Sequence, residues 1–333
     1  MKYLETCSTD PYYNLAFEEY VLKHLRDDDY LILWQNDNTV VMGLHQNPYE
    51  EINLESAAEF DVKIVRRITG GGTVYHDLGN LNYSYITDWR DDEDMNIRSF
   101  LKPIVEAFRE YGLSLEIKGR NDLLLDGKKI SGSAQALADG RLLQHGTLLI
   151  NSDLTRLSSI LRVSPEKFRS KNIKSVRSRV TNIQSYVSEE LKIDEVIDLL
   201  KRHWNEAQRL YTAELSEKEL HEVECLANRK YRTKKWNFSR SSTFSYKNKR
   251  RFPGGEMDVN LDIKEGRILH CMINGDFMSL RPAEEIENAL VGTEYEKEKI
   301  WEFFKKQPLN LYFGSITPEE AAECFFEGKN DGR

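Results

Sequence analysis

Three consecutive glycines at residues 70–72 constrain this chain more than any other feature. They separate two apolar runs, residues 62–65 and 81–86, that read as strands. A run of glycines is costly in chain entropy unless the structure requires bare backbone at that point. Exposed N–H groups without side chains can form a nest that binds an anion such as phosphate. A sharp structural turn is the alternative interpretation, and the glycines alone do not separate the two.

The residues around the glycines favour anion binding. Arg66 and Arg67 precede them and offer positive charge with a planar fork suited to phosphate or carboxylate. His76 and Asp77 follow within the same segment. The segment therefore predicts a binding site rather than a simple turn.

Composition limits the classes of function. The chain has 333 residues and a formal net charge of −8, which argues against a general nucleic-acid binder. No apolar run approaches the roughly 20 residues of a membrane span, and residues 1–5 lack a signal peptide's apolar core. A cytoplasmic protein without a membrane partner is expected. The cysteines are widely spaced and predict neither disulfides nor a zinc site: Cys7, Cys225, Cys271 and Cys324.

Patterns of apolar residues and turn residues predict an α+β fold. Residues 14–22 read as a helix, in which Glu18 and Glu19 are catalytic candidates or, more simply, complement the helix dipole. Residues 30–34 and 39–43 read as a hairpin around residues 36–38. Further helices are predicted at residues 54–60, 96–111 (with a kink or break at Pro103), 193–208 and 217–228.

A second cluster of polar residues falls on adjacent predicted strands. Asp126-Gly127 between apolar runs is a strong hairpin signal, and Asp139-Gly140 marks a second turn. Asn121, Asp122, Lys129 and His145 are thereby expected on neighbouring strands of one antiparallel sheet. An acid, a base and a cation that converge are what an active site requires. For His145 alone, a structural histidine is the simpler interpretation.

The last third of the chain divides into two unlike parts. Residues 167–179 hold six Lys or Arg and no acid, which indicates a solvated loop or a mobile loop that folds onto a phosphate. From about residue 247 the pattern predicts a separate small α+β unit without catalytic residues. The expected domains are residues 1–246 and 247–333.

Ordered motifs along most of the chain resemble the lipoate–protein ligase family, within the biotin/lipoyl protein ligase superfamily. The matching segments are residues 14–19, 39–43, 46–48, 66–80, 119–122, 129–134, 145–149, 175–182 and 236–238. Thr69 stands where serine is expected in some members. The resemblance implies a large catalytic domain with mixed and antiparallel sheets flanked by helices, followed by the small accessory domain of bacterial members.

The resemblance also implies a two-step reaction. Lipoate and ATP form lipoyl-AMP and pyrophosphate, and a carrier-protein lysine then accepts the lipoyl group and releases AMP. The implied carriers are lipoyl domains of 2-oxo acid dehydrogenase complexes, the glycine-cleavage carrier protein, or both.

The resemblance assigns roles to individual residues. Lys129 is implied to be catalytic, and Asp122 to hold Mg²⁺ with the phosphates. Leu15, Val74 and Tyr75 are expected to help build an apolar slot for the dithiolane tail. The implied ATP and lipoyl-AMP contacts are Arg67, Gly72, Thr73, Val74, Tyr75, Asn80, Asn121, Lys129, Arg177 and Arg179. The implied lipoate contacts are Arg67, Thr69, Gly71, Gly72, His76, Lys129 and His145.

Three alternatives remain open at this point. An octanoyl or lipoyl carrier-to-carrier transferase shares the fold, but its thioester route needs a pocket cysteine. None lies between Cys7 and Cys225, the span that holds the site motifs up to residue 182. A biotin ligase fits the glycine-rich and Lys129 segments less well. A catalytically silent binder of lipoate or nucleotide is the third.

Overall fold

The computed structural model describes residues 1–90, 97–119, 121–161, 180–238, 244, 246–264 and 266–326. The fold is α+β, as expected, with sheets flanked by helices. The strands are β1 (Lys2–Leu4), β2 (Tyr30–Trp34), β3 (Thr39–Met42), β4 (Lys63–Arg66), β5 (Val74–His76), β6 (Asn80–Asp88), β7 (Leu115–Lys118), β8 (Asp122–Leu125), β9 (Lys128–Ala138), β10 (Arg141–Leu149), β11 (Tyr211–Thr212), β12 (Tyr246–Phe252), β13 (Gly255–Lys264) and β14 (Arg267–Gly275).

Helices cover the sheets, and those in the described residues largely match the expected segments. The α-helices are α1 (Pro11–His24), α2 (Pro48–Glu51), α3 (Leu54–Glu59), α4 (Ile97–Arg109), α5 (Leu154–Ile160), α6 (Ile193–Ala207), α7 (Glu217–Leu226), α8 (Lys234–Phe238), α9 (Glu284–Leu290), α10 (Lys297–Lys305), α11 (Leu309–Phe313) and α12 (Pro318–Cys324). A π-helix, Ala227–Tyr231, continues α7. Helix α4 continues through Pro103, so a break there is excluded and a kink stays a prediction.

The large sheet has the strand order β11-β1-β2-β6-β10-β9-β8-β7. Strand β2 is apolar without interruption because both of its faces are buried. Leu31 and Leu33 pack into the core that includes residues of α4 and α6, whereas Ile32 and Trp34 pack into the core that includes residues of α1 and α7. Both faces of this sheet are therefore covered, and successive side chains alternate between two cores.

The hairpins that carry the polar cluster form as predicted. Strands β8 and β9 pair antiparallel around Asp126-Gly127, and β9 and β10 pair antiparallel around Asp139-Gly140. All four turn residues have positive φ, from 48° to 76°, which Asp-Gly turns tolerate and which matches the twist of the strands. The local turn chemistry thus places the β8, β9 and β10 residues side by side.

The predicted hairpin of β2 and β3 is wrong. Strand β2 pairs with β1 and β6 in the large sheet, whereas β3 lies between β4 and β5 in a separate three-stranded sheet. Asn36 between them is fully buried, and its Oδ1 accepts a hydrogen bond from Asn14 Nδ2 at 3.0 Å. The connection is therefore a crossover between sheets with Asn36 buried and Asp37 exposed, which its Asn-Asp-Asn sequence does not distinguish from a hairpin turn.

Helix α1 lies inside the molecule rather than on its surface. It begins at Pro11, where the Asp10 side chain accepts the Tyr12 N–H. Every residue from position 14 to 22 is buried, so the helix carries polar side chains such as Glu18 into the core. The C-terminal strands β12, β13 and β14 form their own antiparallel sheet with a distinct hydrophobic core. Among the described residues, the helices are too short or too polar to cross a bilayer.

Candidate active site

A cavity of about 270 Å³ lies between the glycine turn and strands β9 and β10. Twelve of the residues implied above line it: Leu15, Arg67, Gly71, Gly72, Thr73, Val74, Tyr75, His76, Asn80, Asn121, Lys129 and His145. Thr69 and Asp122 stand directly behind this wall and bond to its residues. Arg177 and Arg179, together with the rest of the basic segment 167–179, fall outside the described residues.

Much of the cavity wall is apolar. Leu15 from α1, Val74 and Tyr75 belong to this part of the wall. Further apolar contributions that the sequence reasoning did not name are Trp34, Val41, Leu149, Leu161 and Val180. The cavity can therefore hold an aliphatic group beside a polar one.

Each of the three glycines has a different explanation. A Cβ on Gly70 would lie 2.7 Å from Ser279 Oγ, so this glycine permits close packing of the C-terminal unit. Gly71 has φ +88°, a conformation that other residues rarely adopt. A Cβ on Gly72 would meet no described heavy atom within 4 Å. The fold does not require glycine at position 72, so a ligand that approaches this backbone accounts for it best.

Gly43 and the buried Gln46 support the glycine turn at residues 70–72. A Cβ on Gly43 would lie 1.9 Å from Gly71 O, so only glycine fits there. Gln46 Oε1 accepts the Gly43 N–H at 2.9 Å and the Thr73 hydroxyl at 2.7 Å. Segments 39–43 and 46–48 therefore serve the site by supporting this turn.

Arg67 holds the turn from within. Its guanidinium donates to the carbonyls of Gly70 at 2.6 Å, Gly72 at 2.9 Å and Val41 at 3.2 Å, and to Thr69 Oγ1 at 2.8 Å. Burial lowers the pKa of Arg67 to about 10, against the opposing effect of Glu18, so it remains a cation at neutral pH. It brings positive charge to the cavity wall while most of its donors stabilise the backbone.

Arg66 does not have the expected anion-binding role. It is 1% exposed, and its Nη1 donates to the carbonyls of Gly43, Leu44 and Gln46 at 2.7 to 3.0 Å. Asn237 accepts from its Nη2 and bonds its backbone N–H. Arg66 therefore ties the site to α8, and the expectation that both arginines contact an anion is wrong for it. These bonds also explain the motif at residues 236–238.

Glu18 and Glu19 are not the dipole-complementing acids that one interpretation expected. Both lie in the second half of α1 and are 1% and 2% exposed. Glu19 pairs with Lys23 at 2.7 Å and Lys230 at 2.6 Å. Burial alone would raise the pKa of Glu19, but these two lysines hold it below its ordinary value.

Glu18 instead supports His145. Its Oε1 lies 2.8 Å from His145 Nδ1, and His145 Nε2 lies 2.8 Å from Thr69 Oγ1. Both histidine nitrogens are therefore occupied within the protein. The ring of His145 lines the cavity, and its polar atoms hold other site residues in place.

Several buried polar atoms of cavity residues have no hydrogen-bond partner among the described residues. They are His76 Nε2, Asn80 Oδ1, Asn82 Nδ2 and Ser131 Oγ. Such atoms cost roughly 1–3 kcal/mol each when unpaired, so they indicate a ligand or water in the cavity. Asn82 was not among the predicted site residues, although its alternation with Asn80 along β6 could have indicated it.

The polar end of the cavity carries the predicted cation. Lys129 Nζ lies 2.7 Å from Asp122 Oδ1, and both side chains are about one-third exposed (37% and 34%). Asn121 Nδ2 donates to Ser133 O at 2.8 Å, and Ser133 N donates to Asn121 O at 2.9 Å. Sequence reasoning thus brought the β8 and β9 residues together correctly. No cluster of three or more potential metal ligands occurs within the described residues.

The C-terminal unit touches the site, which its sequence did not predict. Gly71 N donates to Phe277 O at 3.1 Å, and Ser279 Oγ lies 3.0 Å from His45 Nε2. Met278 Sδ lies 3.9 Å from Asn121 Nδ2. The loop after β14 therefore packs against the outer side of the glycine turn.

Comparison with known proteins agrees with this geometry. Residues 10–205 match the family described as Lipoyl protein ligase A/B catalytic domain, and residues 241–325 match Bacterial lipoate protein ligase C-terminus. A lipoate-protein ligase of Bacillus subtilis is 39% identical over 321 residues, which cover 95% of this chain and 97% of that protein. Lipoate–protein ligase 1 of Staphylococcus aureus is 39% identical over 313 residues, covering 94% and 95%.

Solved structures show the same relationship. A lipoate-protein ligase A bound with ATP superposes with a TM-score of 0.62 at 29% identity, covering 72% of this chain and 97% of that chain. A putative ligase from T. acidophilum with bound lipoic acid gives 0.61 at 30%, covering 71% and 96%. A bi-partite ligase of Thermoplasma acidophilum, studied with its E2 lipoyl domain, gives 0.65 at 33%, covering 74% and 98%. This chain is an enzyme of the lipoate–protein ligase family.

Proposed function

We propose that this enzyme activates lipoate with ATP and transfers the lipoyl group to a lysine of a carrier protein. One observation carries the proposal: a single cavity joins bare backbone at Gly72, the cation of Lys129 and an apolar wall. These features match the phosphate, the reacting carboxylate and the aliphatic tail of one acyl-adenylate. The relatives solved with ATP and with lipoic acid support the same two ligands.

The proposed first step joins two anions. A carboxylate oxygen of lipoate attacks the α-phosphorus of ATP, and pyrophosphate leaves with the electrons of the broken P–O bond. Positive charge is needed where the two anions meet, and Lys129 and Arg67 supply it. The protein needs to contribute little covalent chemistry, so its main tasks are to position the substrates and to neutralise charge.

In the proposed second step the ε-amine of a carrier lysine attacks the acyl carbon of lipoyl-AMP. An amide forms, AMP leaves, and the amine loses a proton. The buried unpaired atoms His76 Nε2 and Asn80 Oδ1 are suited to bond the adenylate. Burial, reinforced by Arg67 and His145, lowers the pKa of His76 to about 3, so it is neutral at physiological pH.

We assign Mg²⁺ to the polar end of the cavity. Asp122 supplies one carboxylate there, and one carboxylate with substrate phosphates is a set that Mg²⁺ commonly uses. The ion would neutralise phosphate charge when ATP is bound. The remaining ligands would come from the nucleotide and water.

The proposed carriers are lipoyl domains of 2-oxo acid dehydrogenase complexes, the glycine-cleavage carrier protein, or both, in the cytoplasm. The relative studied with its E2 lipoyl domain supports the first. We also propose catalytic and accessory domains at residues 1–246 and 247–333. The distinct hydrophobic core of the C-terminal unit supports this division.

No observation favours the thioester transferase over the ligase. The described residues that line the cavity include no cysteine, and Cys324 is buried in the core of the C-terminal unit. Lipoate-dependent exchange of pyrophosphate into ATP tests the proposal, because it requires reversible adenylate formation. Absence of exchange by the folded enzyme with Mg²⁺ and both substrates would refute it.

A further inference from the structure

A continuous chain of hydrogen bonds lies behind the cavity and ends in donors on both sides. From one end, Trp34 Nε1 donates to Ser84 Oγ at 2.8 Å, and Ser84 Oγ donates to Glu18 Oε1 at 2.6 Å. From the other end, Arg67 Nε donates to Thr69 Oγ1, whose hydroxyl lies 2.8 Å from His145 Nε2. The two branches meet at Glu18 Oε1.

The chemistry of its ends fixes the direction of this chain. An indole N–H and a guanidinium can only donate, and a carboxylate can only accept. A neutral His145 must therefore carry its proton on Nδ1, facing Glu18, and accept the Thr69 hydroxyl on Nε2. The Thr69 oxygen then accepts the hydrogen bond from Arg67 Nε. Arg67 Nη2 donates to the carbonyls of Gly70 and Gly72.

We propose that Glu18 is a positioning residue for adenylate formation, because it sets the direction of the His145–Thr69–Arg67 relay that holds the glycine turn. This inference rests on the proposed function and extends it to a residue that does not line the cavity. The carboxylate acts on the reaction through two further side chains and one guanidinium, rather than by contact with a substrate.

The relay resembles a Ser-His-Asp triad in the order of its groups but differs in its use. Thr69 is fully buried and does not line the cavity, so its oxygen cannot reach an acyl carbon. It also accepts a bond from the Arg67 cation, which lowers its nucleophilicity. The relay therefore positions the turn and forms no acyl-enzyme.

Replacement of the carboxylate by an amide should weaken the relay without reversing it. Glu18 Oε2 is buried without a described partner, so the amide nitrogen of Glu18→Gln would be unpaired at that place. The opposite rotamer would leave the amide oxygen unpaired there instead, and it would also take away the acceptors of the Ser84 and Thr69 hydroxyls, so the amide oxygen should stay toward Ser84 and His145. His145 then keeps its proton on Nδ1, but it donates to a neutral amide oxygen, and a hydrogen bond to an ionised acceptor is roughly twice as strong.

The direct test is nitrogen-15 NMR of the histidine side chains in the ligand-free, full-length protein. Wild type and Glu18→Gln should both show His145 as the Nδ1–H tautomer. An Nε2–H tautomer of His145 in wild type would overturn the proposed direction of the relay. This readout needs no activity, so it still decides the inference if wild type shows no lipoate-dependent exchange and the proposed function fails.

Kinetics supply the second test. Glu18→Gln should lower kcat for lipoate-dependent pyrophosphate exchange by roughly 10- to 100-fold, because misplacement of a reacting group by about 1 Å costs that much. The KM for lipoate should change less than about threefold, since the apolar wall is untouched. An unchanged kcat would overturn the inference.

Matched variants separate positioning from general damage. Thr69→Val removes the relay's central hydroxyl and should lose as much kcat as Glu18→Gln, whereas Thr69→Ser keeps the hydroxyl and should retain activity. The double variant Glu18→Gln/Thr69→Val should have a kcat no lower than that of the less active single variant, because both substitutions disrupt the same relay. If the kcat loss of the double variant equals the product of the two single losses, the two residues act independently and the relay is refuted.

Glu19→Gln is the control on the same helix. It removes the ion pairs of the buried Glu19 carboxylate with Lys23 and Lys230 but touches no relay residue, so it should lower thermal stability and leave kcat unchanged. If Glu18→Gln fails to fold, the Thr69 pair still decides: a wild-type kcat for Thr69→Val overturns the inference.

Discussion

Gly72→Ala should show whether ligand binding, rather than folding, requires glycine at position 72. The new methyl group would meet no described heavy atom within 4 Å, and φ at position 72 lies outside the left-handed range. The substitution should therefore stabilise the free enzyme by about 0.4–1 kcal/mol through the unfolded state. In the complex the methyl occupies space that the adenylate approaches, and crowding of this kind costs about 1–3 kcal/mol. Affinity should fall by roughly 5- to 150-fold.

The assay pairs thermal unfolding with lipoate-dependent pyrophosphate exchange. Gly140→Ala is the opposite control, because it also points into open space but has φ +76° in a turn remote from the cavity wall. It should lose about 1–2 kcal/mol of stability and keep wild-type KM values. If Gly72→Ala keeps wild-type KM for both substrates, the turn does not contact the ligand and the account of the glycines is wrong.

Three further outcomes are expected. Lys129→Ala should abolish lipoyl-AMP formation while the free energy of unfolding changes by less than about 1 kcal/mol, because its ion pair is partly exposed; adenylate formed at a near-normal rate by the folded variant would remove its catalytic role. A variant with all four cysteines replaced by serine, if folded, should still ligate lipoate, and an acyl-thioester trapped on the wild-type enzyme would contradict this. Stability should fall by about 2 kcal/mol between pH 6.5 and pH 5, because unfolded histidine binds a proton near pH 6.5 whereas burial keeps the pKa of His76 at about 3. Urea titrations at both pH values should show that His76→Gln does not lose this stability. If wild type and variant have identical pH profiles, His76 is not the cause of the pH dependence.

Local chemistry made part of the site predictable from sequence. Asp126-Gly127 and Asp139-Gly140 specify tight antiparallel hairpins, so Asp122, Lys129 and His145 had to lie on adjacent strands. The glycine run likewise indicated a special backbone between β4 and β5. In both cases the information lies within a few residues of the structure that it determines.

The missed features depend on contacts between residues far apart in the chain. Arg66 is structural because α8, some 170 residues later, supplies Asn237, and no local pattern distinguishes it from Arg67. The role of Glu18 depends on Ser84 and His145, which only the assembled sheet brings to α1. The β2–β3 connection was misread for the same reason, since pairing with β6 outweighs a turn-like sequence.

The most direct measurement follows all products of one reaction. The enzyme, lipoate, ATP, Mg²⁺ and an unmodified lipoyl domain are incubated, and AMP, pyrophosphate, lipoylated lysine and acylated enzyme are quantified together. We expect AMP, pyrophosphate and lipoyl-lysine to appear in equal amounts, with no acyl group covalently bound to the enzyme. Lipoylation that proceeds without ATP cleavage, or through an acyl-enzyme, would contradict it.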